Sequence, residues 1–297
     1  MLGVNAIIAP QGRYCAAGKL GYIVPHSKVW MLENSAAITS TKNSIAKQFR
    51  KLHQAKERRR QNTFLLEGTH LLQEACAVGY PLNQIAVTEA WCRNHGALLE
   101  QFQHLDADIH LVSANVLDSM CTTVSPDGVV ATAQRMVSPA VTDASVSLGV
   151  ALERLQDPGN LGTVIRTATG AGCDRIWLTT NSVDVDHPKV LRATAGQWFR
   201  LTPQTVPSLA DLGSLDVQLV ATTPTASLDY WDLDLRQPTV FLMGNEGAGL
   251  SEQSIKLATH RVKIPLAADV ESLNVAIATA LLLYEAKIGR ASCRERV

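Results

Sequence analysis

Two blocks of alternating strand-like and helix-like segments run along the chain, separated by a stretch without hydrophobic period. In the first block Ile45, Phe49 and Leu52 recur at helical spacing and predict one amphipathic helix within 42–60. A strand is predicted over 63–68, a helix over 69–78 with Leu71, Leu72 and Ala75 inward, and a strand over 84–88. A helix over 97–104, a strand over 109–112, a helix capped by Ser113 and a strand over 129–133 complete the block. In the second block strands are predicted over 147–152, 175–179, 218–222, 239–243 and 261–264. Helices are predicted over 160–170 and 189–195, near Ser251, and over 274–287. Strands alternating with helices in this way imply a mostly parallel sheet with both faces covered.

The 297 residues suit two ordinary domains. At 46% hydrophobic and 18% charged, the composition supports packed cores. The expected division is a small α/β domain over 42–137, a linker over 138–147 and a second α/β domain over 148–287. Residues 1–41 are read as an upstream extension, with Met31 the more plausible start and a transit peptide the rival reading. Residues 288–297 abandon the apolar helical pattern and are read as an artefactual tail. No run of 18 apolar residues occurs, so no membrane-spanning helix and no membrane partner are expected. The six cysteines form no C-x-x-C pair, which favours reduced thiols in a cytoplasmic protein over disulfides, and no metal site is expected.

The chain carries 27 basic and 27 acidic side chains, but they are unevenly spread. Residues 42–60 hold Lys42, Lys47, Arg50, Lys51, Lys56, Arg58, Arg59 and Arg60 against Glu57 alone. A solvated helix face is the bland reading of any charge run. So large an excess of one sign also suits an RNA phosphate backbone.

Three segments of the second block concentrate the chemistry. Leu152–Gly172 reads as a strand, a turn at Asp157-Pro158-Gly159-Asn160, and a helix projecting Arg166. By itself this could be any strand–turn–helix with a surface arginine. Val240–Ser251 is an apolar strand running into Gly244-Asn245-Glu246-Gly247 and Gly249. Those glycines allow close backbone approach to a ligand, or merely a turn. Neither a dinucleotide-binding G-x-G-x-x-G nor a P-loop is present. Val262–Ala286 is a strand, Pro265, a loop, and an apolar helix for which Ser272 is a plausible N-cap. That helix is apolar nearly all round, which suits a core or an oligomer interface.

Together, in this order and spacing, the segments resemble the SpoU family of SPOUT-class RNA methyltransferases. The matching residues are Asp157 to Gly162 with Arg166-Thr167-Ala168, then Gly244 to Gly247 with Gly249-Leu250. Ile264-Pro265 and Ser272-Leu273-Asn274-Val275 complete the set. Lys189–Arg200 is similar to the family's intervening Lys-x-x-Arg-Ala stretch, and the first block to its small substrate-binding domain. One departure is Ala276, where some members carry Ser or Thr.

The resemblance implies a parallel α/β methyltransferase domain with a deep trefoil knot, a rare exception to ordinary chain topology. It implies S-adenosylmethionine as cofactor, a homodimer formed through that domain, and methyl transfer to a ribose 2′-hydroxyl of RNA. Ribosomal RNA is preferred as substrate to transfer RNA, on the ground of the extra domain. The catalytic group implied is Arg166, with Asn160, Glu246, Ser272 and Asn274 positioning it and the ribose. Thr222, Thr223, Gly244, Asn245, Gly247, Ile264, Leu266, Ser272 and Leu273 would hold the cofactor, largely through backbone. Lys47, Arg50, Lys51, Arg58, Arg59, Arg60, Lys189 and Arg192 would face RNA. Because arginine stays protonated in proteins, Arg166 is expected to orient phosphate and hydroxyl rather than act as a free base. Two rivals remain: a catalytically inactive RNA-binding relative, and a nucleotide-dependent dehydrogenase with a decayed loop.

Overall fold

A computed structural model of the chain describes residues 36–136 and 146–294. The expected linker falls almost wholly outside these residues, as does most of the expected N-terminal extension. Residues 36–41 are not all extension, however. The Ile38 N–H donates to the Leu111 carbonyl at 2.9 Å and the Ser113 N–H to the Ile38 carbonyl at 3.0 Å. The open edge of a sheet supplies the backbone groups that order this segment.

The first unit begins with two helices, α1 (Ser44–Lys51) and α2 (Ala55–Gln61), where the apolar stripe predicted one. The cause of the break lies in Arg58. Its guanidinium turns inward and donates to the carbonyls of Leu52 and His53 at 2.9 and 3.0 Å, closing the C-terminal end of α1. Strands β1 (Thr63–Glu67), β2 (Leu82–Val87), β3 (Asp108–Leu111) and β4 (Val129–Gln134) form a sheet in the order β1-β4-β2-β3. Helices α3 (Thr69–Ala77), α4 (Glu89–Asn94), α5 (Gly96–Gln103) and α6 (Ala114–Met120) connect them. Ser113 caps α6 as expected, its hydroxyl accepting from the Val116 N–H at 3.4 Å.

The second unit is one parallel sheet of seven strands, in the order β7-β6-β5-β10-β8-β11-β9. Its members are β5 (Leu148–Leu152), β6 (Arg175–Thr179), β7 (Gln204–Val206), β8 (Gln218–Thr222), β9 (Leu228–Asp229), β10 (Thr239–Met243) and β11 (His260–Lys263). The central strands β5 and β10 are buried at every position, as parallel strands with covered faces must be. The helices are α7 (Pro158–Ala171), α8 (Pro188–Ala193), α9 (Glu252–Leu257) and α10 (Val275–Arg294). Gly162 lets α7 lie against α8: a Cβ there would come within 2.4 Å of the Ala193 Cβ. Helix α10 does not stop at 287 but continues to Arg294, into the segment read as a tail. Arg290 fastens that end by donating to Leu235, Gln237 and Ser147 carbonyls and to the Ser147 hydroxyl, all within 3.0 Å.

The units share one core. Phe64 of β1 meets Trp198 at a ring separation of 5.1 Å, and Tyr80 meets Phe199 at 5.1 Å. Around these rings charges cross the boundary in pairs. Arg58 binds Asp184 at 2.8 Å and Asp186 at 3.2 Å, and Arg135 binds the same two carboxylates. Arg192 reaches Glu67 at 2.5 Å and Arg200 reaches Glu74 at 2.5 Å. Two expectations are thereby corrected. Arg58 is fully buried and cannot face RNA; its charge is spent on Asp184 and Asp186. Arg192, likewise expected to face RNA, is held by a buried carboxylate of the first unit.

Removing one partner of a buried ion network strands the others. Arg58→Ala is therefore expected to lower stability by about 3–5 kcal/mol in urea unfolding. Arg59→Ala, one residue along but exposed, should change it little.

Candidate functional site

The site lies at the C-terminal ends of the parallel strands, where loops from the middle of the sheet converge. Strand β5 delivers the turn that starts α7. The Asp157 side chain caps that helix, accepting from the Asn160 N–H at 2.8 Å, and Pro158 occupies its first turn. Strand β10 delivers the glycine loop. Gly244 admits no side chain: a Cβ would sit 2.1 Å from the Gly249 carbonyl carbon. The loop closes on itself through paired Asn245–Gly249 backbone bonds of 2.9 and 3.1 Å. Strand β11 delivers the loop that ends at Asn274, and here the expected cap is corrected. The Asn274 carboxamide oxygen, not Ser272, accepts from the N–H groups of Ala276 and Ile277, at 2.9 and 3.3 Å. Backbone alone makes the Ala276 bond, so its missing hydroxyl costs this cap nothing.

The three segments are joined by one hydrogen-bonded chain. The Asn274 amide donates to the Asn160 side-chain oxygen at 2.9 Å, and the Asn160 amide donates to Glu246 Oε1 at 3.2 Å. Glu246 also accepts from the Gln156 and Asp157 N–H groups and from the Asn245 amide, at 3.3–3.4 Å. Its carboxylate thus lies against the N-terminal end of α7, where the helix dipole favours negative charge. With both oxygens engaged, Glu246 is an orienting anion.

Arg166 is six residues beyond Asn160, or about 9 Å along the helix axis. It is exposed and forms no hydrogen bond or ion pair among the described residues. Side chains on a helix lean toward its N-terminus, so the free guanidinium leans toward the Asn160 end. The structure therefore gathers Asn160, Glu246 and Asn274 directly and leaves Arg166 uncommitted farther along the same helix. Ser272 is exposed and has no bond to the chain.

The residues expected to hold the cofactor are distributed over three adjacent strand ends. Thr222 ends β8 with its hydroxyl 3.5 Å from Met243 Sδ of β10, and Thr223 donates its N–H to the Val262 carbonyl of β11 at 2.9 Å. Gly244 and Ile264 follow those two strands, and Leu266, Ser272 and Leu273 lie along the last loop. Gly244 lets the loop close tightly on its own backbone, and the groups that the cradle offers are mainly backbone. Both properties fit a compact ligand bound by main-chain contacts, as S-adenosylmethionine would be. The cysteines play no part: burial pushes the Cys173 thiol up to about 12 and Cys121 higher still, so neither holds a thiolate at neutral pH. Among the described residues no three metal-ligating side chains gather.

Sequence reasoning missed Arg154. It sits at φ +55°, donates its N–H to the Thr179 hydroxyl at 2.9 Å, and offers its carbonyl to the side chains of Gln156 and Asn245. A glycine or asparagine would have marked such a turn; an arginine does not. Glu153, accepting from the Ser251 N–H at 2.8 Å, was missed for a similar reason, since its partner lies 98 residues away. Of the expected RNA-facing cations, Lys47, Lys51, Arg59, Arg60 and Lys189 are exposed. Arg50 is half-buried, donating to the Thr41 carbonyl at 2.6 Å.

Comparison with known proteins shows the family and the fold. Residues 147–284 match the SpoU rRNA Methylase family model, and residues 43–131 match an MRM3-like substrate binding domain. An uncharacterized tRNA/rRNA methyltransferase of Synechocystis is 46% identical over 85% of this chain and 93% of its own length. A 23S rRNA (guanosine(2553)-2′-O)-methyltransferase of Bacillus subtilis is 31% identical over 83% of this chain and 97% of its own. An AdoMet-bound rRNA methyltransferase from Sinorhizobium meliloti superposes with a TM-score of 0.76 at 31% identity, covering 85% of this chain and 97% of that one.

The Asn160–Asn274 contact holds two helix starts together. A double-mutant cycle of Asn160→Ala and Asn274→Ala, read by urea unfolding, should give a coupling of about 0.5–1.5 kcal/mol.

Proposed function

This chain belongs to the SpoU rRNA methylase family, and we propose that it transfers the methyl group of S-adenosylmethionine to a ribose 2′-oxygen of ribosomal RNA. The observation that carries the reading is the intact chain from Glu246 through Asn160 to Asn274, with Arg166 uncommitted farther along the same helix. An inactive relative would have no reason to keep all four. The dehydrogenase reading finds no support in the glycine loop, which lacks the G-x-G-x-x-G spacing.

When bound, S-adenosylmethionine supplies an electrophilic methyl group on a sulfonium. The protein's part is placement. Gly244 lets the glycine loop close on its own backbone, and the strand ends at Thr222, Met243 and Lys263 fix the walls of the cradle. Arg166 donates to an RNA phosphate and to the target 2′-oxygen, holding the nucleophile in line. The carbon–oxygen bond would form as the carbon–sulfur bond breaks, leaving a neutral thioether, and the hydroxyl proton would pass to solvent. Glu246, already saturated with donors, holds Asn160 rather than taking that proton.

The domain roles belong to the same proposal: residues 42–137 receive RNA on Lys47, Lys51, Arg59 and Arg60, and 148–287 transfer the methyl group. The trefoil knot is supported by the strand order, which sends the chain outward to β11 before α10 returns to pack on α7 and β5. Homodimerisation is supported by α10, where Ile277, Leu281 and Tyr284 stand exposed in line at helical spacing. The enzyme would act in the cytoplasm.

Arg166→Ala should lower kcat for methyl transfer about 100- to 1,000-fold while calorimetric affinity for S-adenosylmethionine stays unchanged. Near-wild-type turnover in that variant would remove Arg166 from the mechanism. Gly244→Ala should show the opposite pattern, losing cofactor affinity first.

A further inference from the structure

A cavity of about 640 Å³ opens between the two units, beside the site rather than within it. Arg59, Arg135 and Met136 line it from the first unit; the loops after β6 and before β7 line it from the second, with Thr180, Ser182, Thr202 and Thr205. Its partition from the catalytic group is a single stretch of chain. Residues 154–156 touch Glu246 and Asn245 on one side. On the other they are bonded to the cavity wall: Arg154 N–H to the Thr179 hydroxyl at 2.9 Å, the Gln156 amide to the Asn181 carbonyl at 3.0 Å, and Val183 N–H to the Leu155 carbonyl at 2.8 Å.

Charge decides what the cavity takes. Asp184 and Asp186 are in its wall, but Arg58 and Arg135 neutralise both. Arg59 is left over, exposed, with no ion pair among the described residues. The cavity therefore offers one unmatched cation at its rim. The exposed Thr180 and Thr205 hydroxyls, without partners among the described residues, add polar groups inside. Its volume lies within the roughly 300–1,000 Å³ over which pockets enclose single small ligands, far too small for a duplex.

We propose that this interdomain cavity is a subsite for an unpaired nucleotide of the same RNA strand, flanking the methylated one. The phosphate rests on Arg59, and the base and sugar meet the threonine hydroxyls. Recognition of unstacked nucleotides in pockets is how proteins ordinarily read RNA sequence. Residues 154–156 then do two tasks: one face orients the reacting group and the other bounds the neighbour. The inference rests on the methyl-transfer reading above, and its test separates the two.

The probe is an unmodified 23S ribosomal RNA transcript, with Thr205→Trp and Thr180→Trp each filling the cavity. Each variant should raise KM for the transcript about tenfold. Their kcat at saturating RNA, affinity for S-adenosylmethionine and Tm should stay at wild-type values. Should T205W lower Tm, T180W carries the same comparison. Unchanged KM in folded variants of an active enzyme would overturn the subsite. A wild-type protein that binds the transcript but transfers no methyl would overturn the reading of the function instead. The subsite would then stand or fall on transcript affinity in filter binding.

Discussion

The site depends on one hydrogen-bonded chain, from Glu246 through Asn160 to Asn274. It ties the start of α7, the start of α10 and the loop after β10 into one unit. Each member is already committed elsewhere. Asn160 belongs to a helix capped by Asp157, Asn274 caps its own helix, and Glu246 answers backbone donors at 156 and 157. A side chain with two such obligations has little rotamer freedom, so the geometry is set before any ligand arrives. Catalysis by placement requires this, since a small misalignment costs heavily in rate.

A second constraint operates between the units. The aromatic contacts of Phe64 and Tyr80 with Trp198 and Phe199 supply apolar burial, and the ion network around Asp186 supplies direction. Buried ion pairs are weak sources of net stability, but they punish wrong registers severely. The basic surface of the first unit is thus held in fixed relation to the strand ends of the second.

Much of this architecture was legible in the sequence. Strands 175–179, 218–222 and 239–243 match their predicted bounds because short apolar runs buried on both faces leave little room for another reading. The identities of Asn160, Glu246 and Asn274 were legible through their spacing, although their bonding was not. What escaped was decided by distant partners. Arg58 reads as one more solvated cation, and only Asp184 and Asp186, more than 120 residues away, draw it inside. Ser272 and Asn274 are equally good caps by type, and the bond to Asn160 selects the second. The short helix α4 and strand β7 carry too few residues to show a period. Arg154 carries no mark of its left-handed turn.

The central claim is chemical: the group that these residues place is a ribose 2′-oxygen. Its most direct test is the alkali resistance of the product. Unmodified 23S ribosomal RNA transcript would be incubated with the protein and methyl-labelled S-adenosylmethionine, then hydrolysed in alkali. A 2′-O-methyl group blocks cleavage of the adjoining phosphodiester, so the label should appear in dinucleotides. Label recovered in mononucleotides would place the methyl group on a base and contradict the account.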